Sequence, residues 1–178
     1  MKSFISDHDI VSCFVPIDLE TAANTGDWVS LKYWNHLTVV LFKAAGTAND
    51  DPVMTFAQAT VVAGTDTKSL LLPAGRPGIT NYWYKQGALL ATTAGCGTWT
   101  EVAQVAATTI TTNATAAESQ GIYVIDIYAD QLDVNGGFDC VQMSVADTGA
   151  AGAQIGCAFY ILSEPRVAAE VTASAIVD

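Results

Sequence analysis

The chain has 178 residues, of which 51% are hydrophobic and only 14% charged, with a formal net charge of -11. With 7 basic residues against 18 acidic ones, direct binding to nucleic acid is excluded as an expectation, because affinity for a phosphate backbone rests on cationic contacts. No uninterrupted apolar run has membrane-spanning length, so no helical span is expected, and the length suits one domain, 1–178, able to bury a core without staples.

The first nine residues carry one Lys, no continuous apolar stretch and early acidic residues, so no secretory signal is expected and the chain is read as made in a cytosol. They are read as an N-terminal arm, 1–9. Residues 10–15 predict a first strand that ends at Pro16, a residue suited to an edge or a strand end. Residues 18–26 form a loop. Residues 28–33 alternate, with Val29, Leu31 and Tyr33 on one face and Ser30 and Lys32 on the other. Asn35 and His36 read as a turn. The nearly unbroken apolar run Leu37-Thr-Val-Val-Leu-Phe42 reads as a central strand.

A polar loop with Asp51-Pro52 punctuation follows, then an extended 53–62 in which residues 56–59 allow an irregular turn. Residues 69–72 end at the loop 73–78. Tyr82-Trp83-Tyr84 suits a pleated, half-buried surface, 87–97 is a small-residue loop and 98–102 a short strand. Within 103–115, Thr108 to Thr112 favour extension, and 114–120 predict one helical turn. Residues 122–128 are a strand, 129–134 an excursion, and Asn135-Gly136-Gly137 a tight turn. In 138–146, Val141, Met143 and Val145 alternate with Gln142 and Ser144, and 155–162 is the last strand. Residues 165–178 are read as a C-terminal arm.

Eight to ten short strands with almost no helical periodicity predict an all-β fold, a jelly-roll-like β-sandwich with long loops, ahead of an immunoglobulin-like one. With so few charges to cover the outside, part of the apolar excess is expected in subunit contacts.

The residue types that carry chemistry are sparse. Asp7, His8 and Asp9 form the densest reactive cluster, but neighbours in an extended chain point different ways, and a solvated arm is the plainer reading. His36 shows no partner acid in sequence. Asp133 to Asp139 resembles part of a calcium loop, yet Ser144 stands where the bidentate Glu belongs. Asn49, Asp50 and Asp51 read as an exposed acidic loop.

Gly95-Cys96-Gly97 is too short for a phosphate cradle, and Asn113-Ala114-Thr115 is a sequon in a chain not expected to be secreted. Trp28, Trp34, Trp83 and Trp99 with Tyr82 and Tyr84 are read as core or interface aromatics before a sugar platform. Cys13, Cys96, Cys140 and Cys157 are read as free thiols; Cys140 and Cys157 lie on consecutive strands and approach one another if those strands pair. No catalytic residue, cofactor or metal site is expected.

The stretch 15–32, together with 37–46, 49–56, Phe138-Asp139-Cys140 and 160–166, resembles small virion proteins of tailed bacteriophages, specifically head decoration (cement) proteins. That resemblance implies a β-rich chain, often a homotrimer. It would sit on the capsid exterior of the virion, with the major capsid protein as partner and no enzymatic activity. A carbohydrate- or receptor-binding β-sandwich of a virion appendage, or a tail or major capsid component, is the alternative.

Overall fold

Period-two alternation and β-branched or aromatic residues become strands in the computed structural model, which describes residues 4–72, 81–87, 98–103, 106–149 and 152–166. The strands, in chain order, are β1 (His8–Asp18), β2 (Asn24–Thr25), β3 (Val29–Ser30), β4 (Trp34–Lys43), β5 (Val53–Ala59) and β6 (Lys68–Ser69). They continue with β7 (Asn81–Gln86), β8 (Thr100–Ala103), β9 (Thr109–Thr111), β10 (Gly121–Tyr128), β11 (Cys140–Val145) and β12 (Ile155–Pro165). The fold is all-β, a sandwich of two antiparallel sheets. The described strands number twelve rather than eight to ten, because β2, β3, β6 and β9 are too short to leave an alternating signature.

The first sheet runs β1-β12-β4-β10-β7-β8. The second runs β2-β11-β5-β6, with β3 also on β11 and β9 also on β5. Leu37, Val39 and Leu41 of β4, with Tyr123, Ile125 and Ile127 of β10, join Met54, Phe56, Val141, Met143 and Val145 of the second sheet in one buried cluster. Burying a side chain of this size stabilises by about 1.5–3 kcal/mol, so these two inner faces supply most of the driving force.

One hydroxyl ties the sheets together. The fully buried Tyr160 of β12 accepts from the Met143 backbone N–H at 3.0 Å and donates to the Asp27 carbonyl at 3.0 Å. Beside it, a Cβ on Gly26 would lie 2.2 Å from Cys13 Sγ and 2.5 Å from the Met143 carbonyl, which is why glycine stands there. At the far end of β4, Lys43 is 1% exposed, and its ammonium donates to the carbonyls of Ala44, Ala117 and Ser119 at 3.0, 3.3 and 2.9 Å.

Several local expectations are corrected. Asn35 and His36 are not a turn but lie at the start of β4, where His36 pairs with Ser163 of β12 and Tyr128 of β10. The strand expected over 28–33 shrinks to β3, because the Trp34 N–H closes a tight turn on the Leu31 carbonyl and leaves Tyr33 exposed. Pro16 does not end β1; the strand bulges past it, which an edge strand tolerates. Residues 56–59 are regular β5, and 114–120 are successive turns rather than a helical one.

Cys140 and Cys157 lie on opposite sheets, in β11 and β12, which do not pair; both are free, as is Cys13. His8 and Asp9, expected in an arm, pair with Ser163 and Leu162, and Pro165 closes β12. The loop 73–78, Cys96 with most of 87–97, and 167–178 lie outside the described residues.

Burial sets an alkaline limit on this fold. It pushes the Cys13 and Cys140 thiols from 9.0 up to about 12, and raises the Tyr123 and Tyr160 phenols above 10.0. A group that holds its proton more tightly when folded contributes fully below its unfolded pKa and loses that contribution as pH climbs toward the folded one. Lys43 acts oppositely: burial lowers it from 10.5 to about 8, so its own contribution improves between those values.

Two thiols and two phenols outweigh one amine. Stability is therefore expected to fall from about pH 9 upward, by on the order of 5 kcal/mol at pH 11. Urea unfolding midpoints measured across that range check this, and a midpoint that holds steady to pH 11 contradicts it.

Candidate functional site

Strand alternation sends Leu37, Val39 and Leu41 into the core and therefore turns His36, Thr38, Val40 and Phe42 to the opposite face of the first sheet. Register then fixes what lies beside them. One row across the sheet reads Ser12, Phe159, Val40, Val124, Trp83, Glu101; the next reads Cys157, Phe42, Ile122, Lys85. A third reads Ile10, Ile161, Thr38, Asp126, and a fourth His8, Ser163, His36, Tyr128. The outer face is thus an apolar field with a polar margin at one end and Ser12, Lys85 and Glu101 along its flanks.

The apolar field is open around a buried centre, Val40, which is 8% exposed. Ile10, Phe42, Trp99 and Ile155 are each between 43% and 48% exposed, and Trp83 is 37% exposed. Two shallow hollows mark it. One of about 260 Å³ is lined by Pro16, Phe42, Ile155 and Cys157 among others; one of about 200 Å³ is lined by Trp83, Trp99 and Val124. Lys85 lays its ammonium 4.6 Å from the Trp99 ring centre, a cation–π contact at the rim of the second hollow.

The polar margin is a hydrogen-bonded chain of side chains. His36 Nε2 lies 2.9 Å from Asp126 Oδ1, His36 Nδ1 lies 2.8 Å from Ser163 Oγ, and the Thr38 hydroxyl donates to Asp126 Oδ1 at 2.7 Å. Tyr128 stacks on the imidazole at 4.4 Å. Burial by itself would raise the Asp126 carboxyl, but the hydrogen bonds from His36 and Thr38 hold it below the usual carboxylate range.

The order Ser–His–Asp is that of a nucleophile relay, yet nucleophilic catalysis also needs donors aimed at a developing oxyanion. Ser163 sits within β12, in register with His8 on one side and His36 on the other, so its backbone belongs to the ladder. The chain of bonds orients side chains across three strands. Sequence reading missed it because Asp126 and Ser163 stand 90 and 127 residues from His36.

The other candidates do not assemble into a site. His8 stacks on Phe4 at 4.2 Å, with Nδ1 3.0 Å from the Phe4 carbonyl, and no cluster of three His, Cys, Asp or Glu side chains suited to a metal occurs among the described residues. Asp133 spends its carboxylate on Lys68 and on the Gly136 N–H, and those bonds hold it below its ordinary pKa. Asp51 accepts from the Ala117 N–H at 2.9 Å. Asn113 accepts from the Thr115 N–H and hydroxyl and pairs with the Gln86 amide.

The aromatic run splits between faces: Tyr82 is buried while Trp83 looks outward; Trp34 is buried in the core. Trp28 packs on Gly64. No helix among the described residues is long and apolar enough to cross a membrane.

No family model, curated protein or solved structure matches the chain.

Proposed function

We propose that this protein is a structural virion component, a head decoration protein that cements the outer surface of a tailed-bacteriophage capsid by bridging major capsid subunits. The observation that carries the reading is the outer face of the first sheet, whose apolar rows are built for contact with protein rather than for turnover. The resemblance of 15–32, 37–46, 49–56, 138–140 and 160–166 to such proteins supports it from the sequence side.

The strand order supports it as well. With β3, β9 and the β7–β8 pair set aside, β1-β12-β4-β10 and β2-β11-β5-β6 are compatible with the jelly roll proposed here, an architecture of viral capsid and lectin domains. A charge of -11 suits a location outside the shell, away from packaged DNA. Clamping needs no reaction: many copies each adding a modest contact energy stiffen a shell, because rupture breaks several contacts together.

Mixing the purified chain with capsids that lack it tests this. Saturable co-sedimentation and a higher rupture temperature of the shell are expected; a chain that stays in the supernatant at micromolar concentration overturns the proposal. The second reading, a glycan-binding appendage module, rests on the exposed Trp83 and Trp99. Among the described residues Trp83, Trp99 and Val124 line their hollow, with Lys85 at its rim, and none of these is arranged to recognise sugar hydroxyls. Glycan binding lost in Trp99→Ala would favour it.

A further inference from the structure

We propose that the loops at one end of the sandwich hold a calcium ion on the side-chain oxygens of Glu20, Asp50, Thr148 and Gln154. Strand register brings these loops together: Asp18 pairs with Ile155, Lys43 with Gly156, and Val145 with Met54, so the chain leaves β1, β4 and β11 at a common end. The segments are then bonded to one another. The Thr148 N–H donates to the Leu19 carbonyl at 3.2 Å, the Gln154 amide to the Asp50 carbonyl at 3.2 Å, and the Gly152 N–H to Glu20 Oε2 at 2.6 Å. Asp18 Oδ1 accepts from the Glu20 and Gln154 N–H groups at 3.1 and 2.9 Å. A Cβ on Gly149, whose φ is +140°, would lie 2.3 Å from Asp50 Oδ1, so only glycine lets that carboxylate settle there.

Within this frame four oxygens are shut off from solvent and have no hydrogen-bond partner: Glu20 Oε1, Asp50 Oδ2, Thr148 Oγ1 and Gln154 Oε1. Glu20 and Thr148 are 8% exposed, and Gln154 is fully buried. Asp50, read from the sequence as part of an exposed acidic loop, turns one oxygen inward. Folded proteins rarely leave buried acceptors unpaired, and four on loops bonded together point to a bound species.

Chemistry selects the species. The two carboxylate oxygens and the amide oxygen only accept, while the Thr148 hydroxyl does either. A trapped water and that hydroxyl together bring enough protons, yet leave both carboxylates without a counter-charge. Neither Glu20 nor Asp50 forms an ion pair with a cation among the described residues. A divalent cation meets both needs, taking oxygen lone pairs and supplying the missing charge. Oxygen donors suit calcium and magnesium rather than soft metals. Calcium accepts irregular sets of about six to eight oxygens, which water or loop carbonyls complete, whereas magnesium demands a near-ideal octahedron and keeps its waters. Half of the donors are neutral, so the site differs from the three-acid clusters that do not occur among the described residues.

Nothing in the proposal rests on shell binding. Calorimetric titration of the full chain with calcium chloride, after EDTA treatment and dialysis, tests it together with thermal unfolding in calcium or magnesium. We expect a single site with a dissociation constant of about 0.1 mM. At about a hundredfold excess over that value, the unfolding temperature should rise by about 5–10 °C. Glu20→Gln and Asp50→Asn keep shape and hydrogen bonding but remove charge, and each should weaken calcium at least about tenfold. Asp66→Asn is the control: it removes an exposed carboxylate at φ +52°, a conformation that asparagine adopts.

No heat and no stabilisation at about 10 mM calcium overturns the proposal and leaves buried water as the partner of these oxygens. Binding that both site variants leave intact, or that the control weakens equally, overturns it too, because it then reflects the acidity of the whole surface. Equal stabilisation by magnesium overturns the assignment to calcium. Circular dichroism confirms that the variants keep their strands; if one does not, the other variant and the wild-type titration decide.

Discussion

Lys43→Ala is expected to lower stability by about 3–5 kcal/mol, read as a drop in the urea unfolding midpoint at pH 7. Lys43 is 1% exposed as a residue, and its ammonium closes three backbone carbonyls, those of Ala44, Ala117 and Ser119. Removing it strands three acceptors at about 1–3 kcal/mol each, offset by the desolvation cost that the charged amine no longer bears. That cost is what pulls the Lys43 pKa down to about 8, against the opposing pull of Asp51 and Glu118.

Lys43→Met restores the aliphatic stem but not the donors, so it should recover about 1–2 kcal/mol and no more. The difference between wild type and Met variant should also widen in favour of wild type as pH rises from 8 toward 10.5, because the folded state gives up the proton first. A Met variant as stable as wild type at pH 7 would show that the three carbonyls find other donors.

Tyr160→Phe is the second large effect, about 2–4 kcal/mol for the loss of one oxygen atom. The hydroxyl satisfies the Met143 N–H and the Asp27 carbonyl, groups that belong to the opposite side of the sandwich from β12. The ring remains to fill its place, so no cavity of ring size opens; the cost is that of a buried donor and acceptor left without partners. Hydrogen exchange supplies the specific readout. The Met143 amide should exchange faster in the variant than neighbouring amides of β11, whereas a uniform rise along the strand would point to general loosening.

Much of the fold was legible because period-two alternation is a local property. Val141, Met143 and Val145 read as one face of a strand and are fully buried. The apolar run 37–42 read as a central strand and pairs on both sides, with β12 and β10. Turn chemistry was less reliable, as Asn35 and His36 show: their polar character favours a turn, but Ser163 of β12 and Tyr128 of β10 both pair with His36, and tertiary pairing overrides the preference.

The candidate site was legible in kind, not in place. Composition announced an apolar excess with few charges to cover it; where that excess surfaces depends on which strands lie side by side. Phe42 and Trp83 come together through Ile122 and Val124 of β10, and no spacing between residues 42 and 83 encodes that.

By itself, then, the sequence determined the class: strands, a core, an acidic exterior and a shortage of catalytic side chains, since each follows from local pattern or from counting. Only the tertiary structure decided strand order. Strand order put Cys140 and Cys157 on different sheets, joined His36 to Asp126 and Ser163, and gathered the outward side chains of five strands into one apolar field. The physical reason is that alternation says which side chains share a face of a strand, while the pairing of distant strands, set by the packing of the whole core, says whose faces adjoin.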